Sequence, residues 1–218
     1  MVARRHIPNA LTVLRLVLAA GFFAALSGYR YPAAGEAAEG QILANLAILI
    51  FIAAAITDAL DGYFARRWEV VSTFGRIMDP FCDKVLVLGA FVYLAGPRFV
   101  IPEAVADGDC TMATSVYPWM VVLILARELL VTGIRGVVES GGTSFGSMWS
   151  GKAKMILQSI TVPIIILIAV NFSPSTNQIA RIACQVLVYV TLIVTVWSGL
   201  PYVMGMRSMG KPRPDDAA

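Results

Sequence analysis

Charge is scarce in this sequence. Of its 218 residues 14% are charged and 58% are hydrophobic, with a mean hydropathy of +0.74. So little charge excludes an ordinary soluble domain and points to a membrane protein. Histidine is almost missing: His6 is the only one. The three cysteines, Cys82, Cys110 and Cys184, fall in separate segments without metal-ligand spacing. That excludes a disulfide framework and a zinc site. The formal net charge of +3 is too small to imply nucleic acid as a partner. A cleavable signal pattern is also lacking, because the first apolar stretch contains Arg15 and runs on without a small-residue processing site. No internal repeat or low-complexity tract is evident.

What is present is a series of six apolar segments, at about 10–26, 41–57, 81–95, 116–131, 155–172 and 182–204. A segment crossing lipid must satisfy its own backbone hydrogen bonds, so each is expected to be helical. The expected fold is all-α: one polytopic bundle of six transmembrane helices over residues 1–206, followed by a proline-rich, charged tail at 207–218 expected to be disordered. The third and fourth segments have apolar cores shorter than a bilayer, so they draw polar flanks into the span or line a wet cavity. Proline and glycine mark the connections at 31–40, 96–108, 140–151 and 173–175. Assigning alternate connections to opposite sides puts twelve cations, including Arg4, Arg66, Arg135 and Lys152, on the side of the termini, and only Arg30, Arg98 and Arg181 opposite. By the positive-inside rule both termini are cytoplasmic.

Against this apolar background the stretch from Thr57 to Lys84 holds four aspartates. Asp58 and Asp61 are three apart and share a face of a helix; Asp79 and Asp83 are four apart and do the same. Pro80 suits a first helical turn, so a helix is expected to begin there with Asp79 just outside it. Four acids brought together in a poorly solvated place either protonate or bind divalent cations. Oxygen ligation favours a hard ion, magnesium or manganese. Gly62 and Gly75 clear space where a phosphate could approach the backbone, and Arg66, one turn from Gly62, offers a fork that fits phosphate oxygens. Metal-assisted chemistry on a diphosphate follows.

The full pattern is Asp58-x2-Asp61-Gly62-x2-Ala65-Arg66-x8-Gly75-x3-Asp79-x3-Asp83, eight specified positions in 26 residues. It resembles the signature of the CDP-alcohol phosphatidyltransferase family at every specified residue and gap. The resemblance implies a six-helix membrane enzyme whose active site opens near the cytoplasmic surface. It implies that Asp58, Asp61 and Asp79 ligand a pair of metal ions with Asp83 at the same site, and that Gly62, Ala65 and Arg66, beside Gly75, belong to the CDP-binding part. It further implies that Asp83 is the general base that takes the acceptor's proton before attack on the lipid-side phosphorus. On spacing alone Asp79 and Asp83 could exchange roles.

The acceptor alcohol is read from other segments. Arg127 lies within the fourth segment beside Glu128, Arg135 follows two helical turns later at nearly the same azimuth, and Lys152 and Lys154 open the fifth. Cations inside a membrane helix are costly unless a polar cavity or partner faces them. A phosphate-bearing acceptor supplies that partner; the alternative for these side chains is snorkelling to lipid headgroups. Arg-Glu, Val-Thr-Gly-x-Arg and Gly-Lys-x-Lys are similar to bacterial phosphatidylglycerophosphate synthases, as is the opening Ile7-Pro8-Asn9-Ala10-Leu11-Thr12 with Arg15. That likeness implies CDP-diacylglycerol and glycerol 3-phosphate as substrates at the cell membrane. Met155, where those enzymes often have threonine, and the long stretch 96–117 are departures that bear on the acceptor, not on the metal motif. Asn9 and Arg15 are candidate cavity residues, with a helix cap the alternative for Asn9 and snorkelling for Arg15. Rival readings are another acceptor (inositol phosphate, serine or phosphatidylglycerol), an inactive scaffold, or a cation transporter using the same acids. Small residues and aromatics in several spans permit a homodimer without requiring one.

Overall fold

The computed structural model describes the backbone of residues 2–68, 73–140 and 149–209, and the side chains of 10–60, 81–82, 84–138, 149 and 151–204. Among the described residues six long helices carry the fold: α1 (Val2–Ser27), α2 (Gln41–Trp68), α3 (Thr73–Leu94), α5 (Pro118–Ser140), α6 (Trp149–Asn171) and α7 (Gln178–Trp197). Short helices α4 (Pro102–Ala106) and α8 (Leu200–Met209) and one 3-10 turn complete it. The described residues contain no β-strand, only two isolated bridges, Arg30 with Glu39 and Val100 with Met112.

The six apolar segments and the six long helices correspond, with three differences. The third helix starts at Thr73 and runs through Pro80, so Asp79 lies within it and not before it. Proline's fixed φ is a helical value, so a helix can continue through it at the loss of one backbone hydrogen bond. The same holds at the start: α1 begins at Val2, which places Pro8 and Asn9 inside the helix and removes the capping role for Asn9. The last segment is two helices, divided at Ser198 and Gly199, where Pro201 in the first turn of α8 has no N–H to continue the ladder.

Four stretches among the described residues are long and apolar enough to cross a membrane: Ala10–Ser27, Gln41–Leu60, Gly151–Asn171 and Gln178–Met204. The other two long helices are those with short apolar cores: α3 offers only Lys84–Leu94, and α5 carries Arg127, Glu128 and Arg135. Large apolar side chains such as Val17, Leu49, Ile156 and Ile193 stand exposed on the four spans, an outside that suits lipid.

Helix α1 packs along both α2 and α3, and α6 packs against α2 and α7. An aromatic seam joins the first group: Phe22 meets Phe51 at 5.4 Å between centroids, and Phe23 meets Tyr93 at 5.1 Å. Gly89 makes the approach possible, since a Cβ there would lie 2.4 Å from the Phe23 ring. The connections after α1, α3 and α6 gather at one end: Tyr31 N–H donates to Arg98 O at 2.8 Å and the Tyr31 hydroxyl to Ser175 Oγ at 2.9 Å. The main core lies towards that end, and a smaller cluster of Val131, Ile134, Val138 and Tyr202 lies at the other.

Candidate active site

A cavity of about 400 Å³ opens between the two clusters, walled by α1, α2, α3, α5, α6 and α8. Among the described residues six cations line it, Arg15, Lys84, Arg127, Arg135, Lys152 and Lys154, against two acids, Asp58 and Glu128. Phe51, Ala54, Leu86, Val87 and Met155 supply an apolar part of the wall. Low-dielectric walls with excess positive charge focus the field on an anion.

One side of the cavity carries Asp58, the first acid of the signature. Asp58 projects from α2 and its Oδ1 accepts from Arg15 Nη1 of α1 at 2.8 Å. The Arg15 side chain is 1% exposed and that of Asp58 38%, so the arginine is an interior support and the carboxylate stays open to the cavity. Of the two alternatives for Arg15, facing the cavity is the observed one. Asp61, Gly62, Ala65 and Arg66 continue the unbroken helix α2, while Gly75, Asp79 and Asp83 lie on α3. Unbroken helices keep each aspartate pair on one face. The side chains of these seven residues, and that of Asn9, lie outside the described ones. Asp58 is thus the one signature acid whose carboxylate is described, and no group of three metal-binding side chains is found among the described residues. Cys82 falls inside the signature stretch, yet it is buried and does not line the cavity.

The opposite side is built by α5 and α6. Glu128 Oε1 accepts from Arg127 Nη1 at 2.9 Å and from the Lys154 ammonium of α6. Arg127 Nη2 also donates to the end of α7, at Ser198 Oγ (2.8 Å) and Ser198 O (3.2 Å). Gly199 permits that approach, as a Cβ there would stand 3.2 Å from Arg127 Cγ. Arg135 sits over the Tyr202 ring, 5.6 Å from its centroid, and donates to its hydroxyl at 3.3 Å. Lys84 of α3 donates to Thr132 Oγ1 at 2.5 Å, and Thr132 Oγ1 to Glu128 O at 2.7 Å. Lys152 is exposed at the rim. Among the described residues the Nε groups of Arg127 and Arg135 are buried without an acceptor, and an anion is the partner such donors suit.

All four cations proposed from sequence for the acceptor therefore share one cavity with Asp58. Two of them, Arg127 and Lys154, already have a carboxylate partner. Glu128, Lys84, Thr132 and Tyr202 were not singled out as site residues by sequence. The signal for Glu128 was its place next to Arg127 in an apolar run; nothing in the local pattern marked the other three.

The family model described as CDP-alcohol phosphatidyltransferase matches residues 5–197. A Bacillus subtilis (strain 168) protein named "CDP-diacylglycerol--glycerol-3-phosphate 3-phosphatidyltransferase" is 31% identical over 190 residues, 86% of this chain and 90% of its own length. A Mycobacterium tuberculosis (strain H37Rv) protein named "Probable phosphatidylglycerophosphate synthase" is 31% identical over 206 residues, 94% of this chain and 84% of its own. A Haemophilus influenzae protein with the first of these names is 28% identical, over 71% of this chain and 74% of its own. With the signature intact on α2 and α3 and the match running almost end to end, the chain belongs to the CDP-alcohol phosphatidyltransferase family.

Proposed function

We propose that the chain transfers the phosphatidyl group of CDP-diacylglycerol to glycerol 3-phosphate, yielding phosphatidylglycerophosphate and CMP. The observation that carries the choice of acceptor is the cationic wall of α5 and α6 facing Asp58 across one cavity. A neutral alcohol would leave the buried Nε donors of Arg127 and Arg135 without an anion. The names of the relatives point the same way. A cation-transport reading gains nothing from a cavity whose described walls hold six cations.

In this reading Gly62, Ala65, Arg66 and Gly75 receive the CDP part, and the apolar wall at Phe51 and Leu86 meets the lipid part. Asp83 takes the proton of the acceptor hydroxyl, whose oxygen forms a bond to the lipid-side phosphorus as the bond to CMP breaks. Asp58, Asp61, Asp79 and Asp83 would hold two magnesium or manganese ions, and all-oxygen donors with the open carboxylate of Asp58 fit such ions. Bound there, the metal supplies charge neutralisation on the diphosphate and on departing CMP. Arg127, through the Nε donor left over from its pair with Glu128, orients the acceptor phosphate together with Arg135, Lys152 and Lys154. The bundle crosses the cell membrane six times with both termini and the cavity on the cytoplasmic side. That topology rests on the charge asymmetry and on the gathering of three connections at the end away from the cavity.

The test is CMP release by detergent-purified protein given CDP-diacylglycerol, magnesium or manganese, and one acceptor at a time. Glycerol 3-phosphate is expected to be preferred over inositol phosphate, serine and phosphatidylglycerol. Preference for any of those three would replace the acceptor and leave the reaction class.

A further inference from the structure

Glu128 is an acid placed where simple electrostatics would not want one. The wall that meets an acceptor phosphate should gain from every positive charge, yet a carboxylate 8% exposed stands in its middle and accepts from two of its cations. We propose that Glu128 is a positioning residue for the acceptor-phosphate end of the cavity, holding Lys154 at the wall and fixing Arg127 as a clamp between α5 and the end of α7. This inference rests on the acceptor reading given above.

Burial is the first reason. Lys154 is 5% exposed, and an ammonium that far from water stays at its post only with a counter-charge beside it. Glu128 Oε1 is its hydrogen-bonding partner. The second reason is division of labour. Arg127 uses Nη1 on Glu128 and Nη2 on Ser198 Oγ and O, so its fork spans two helices. Ser198 Oγ in turn donates to Thr195 O at 2.7 Å, and Thr195 Oγ1 accepts from Gln158 of α6 at 3.0 Å. The carboxylate thus sits at the hub of a hydrogen-bonded path through α5, α6 and α7. The third reason is the hold on its own helix: Thr132 Oγ1 caps Glu128 O at 2.7 Å and receives Lys84 from α3, so a fourth helix is tied to the same turn.

Charge counting and positioning predict opposite signs. Arg127, Glu128 and Lys154 together carry a formal +1, so removing the carboxylate raises the local charge and, by Coulomb attraction alone, tightens phosphate binding. If Glu128 positions Lys154, its loss weakens acceptor binding despite that gain. The experiment compares wild type, Glu128→Gln, Lys154→Met and the double variant in detergent, each with CDP-diacylglycerol and glycerol 3-phosphate varied separately. Binding of glycerol 3-phosphate to each protein is also followed by calorimetry.

Expected for Glu128→Gln is a KM for glycerol 3-phosphate raised roughly tenfold, with the KM for CDP-diacylglycerol unchanged and a calorimetric Kd raised in parallel. In the double variant the Glu128 and Lys154 charges leave together while Arg127 keeps its bonds to Ser198, so the protein stays foldable if Glu128→Gln does not, and acceptor binding is expected to match that of Lys154→Met alone. Additive losses in the double variant, an unchanged or lowered acceptor KM in Glu128→Gln, or equal rises for both substrates would each overturn the proposal. If wild type itself releases no CMP with glycerol 3-phosphate, it is the function reading that fails, and the same four proteins are compared with whichever phosphate-bearing acceptor is used.

Discussion

The two walls of the cavity are built on different plans. On the α2 and α3 side, acids recur along the sequence of each helix, Asp58 and Asp61 three apart and Asp79 and Asp83 four apart; Asp58 lines the cavity, with Arg15 of α1 buried behind it. On the α5 and α6 wall, charge is paired between helices: Glu128 with Lys154, Arg127 with the end of α7, Arg135 with Tyr202 of α8. Like charges at helical spacing leave a job undone and call for an outside partner, in the proposed reading a cation. Opposite charges joined across helices are largely satisfied within the protein, so only what they leave over is offered to a ligand. The acid wall is therefore the expected seat of chemistry, and the cationic wall the expected seat of acceptor choice.

Breaking that comparison starts at the acid wall. Asp83→Asn removes the proposed base at nearly constant volume, and kcat for CMP release should fall about a thousandfold. Near-normal turnover would take Asp83 out of the base role and leave Asp79 as the candidate. Asp58→Asn should also lower turnover, by roughly a hundredfold, and shift the half-saturating magnesium concentration upwards. It has a second consequence that a pure metal ligand would not have: Arg15, 1% exposed, loses a carboxylate partner, so thermal stability in detergent should fall too. An unchanged melting midpoint would show that the pair with Arg15 matters little to the fold.

At the opposite wall the expected effects are smaller and of another kind. Arg135→Met should raise the KM for glycerol 3-phosphate about tenfold to a hundredfold, with kcat and the KM for CDP-diacylglycerol close to wild type. A fall in kcat with both KM values unchanged would move Arg135 from acceptor binding to the chemical step, and would blur the division between the walls.

How much of this could be read from the sequence follows the same division. Repetition inside one helix leaves a trace at fixed spacing, so the aspartate pairs and the six long helices were legible. Pairing across helices leaves none: Glu128 and Lys154 are 26 residues apart, and their contact depends on how α5 and α6 meet. For that reason Lys154 reads from sequence as a cation for an acceptor phosphate or a lipid headgroup, whereas it already has an acidic partner. Local punctuation misleads twice: Pro80, which suits a helix start, lies inside α3, and Asn9, which suits a helix cap, lies inside α1. Burial settled what pattern left open at Arg15, whose position in an apolar run suited snorkelling and cavity equally.

The smallest effect is expected away from both walls, on the seam of α6 and α7. The hydroxyls of Thr161 and Thr191 lie 2.8 Å apart and are buried, the only polar contact there besides Gln158 with Thr195 among the described residues. Neither threonine lines the cavity. An apolar surround strengthens such a bond, but a hydroxyl that loses its partner on a helix can turn to the carbonyl one turn back. Thr191→Val should therefore cost only about 0.6 kcal/mol in stability, read as a small drop in the melting midpoint in detergent, with CMP release unchanged. The double variant Thr161→Val with Thr191→Val should cost less than twice the single one, since no orphan hydroxyl remains. A large loss of acceptor affinity in either variant would mean that the seam reaches the cationic wall through Thr195, Ser198 and Arg127, and that the acceptor end is set by the packing of α6 on α7 as well as by charge.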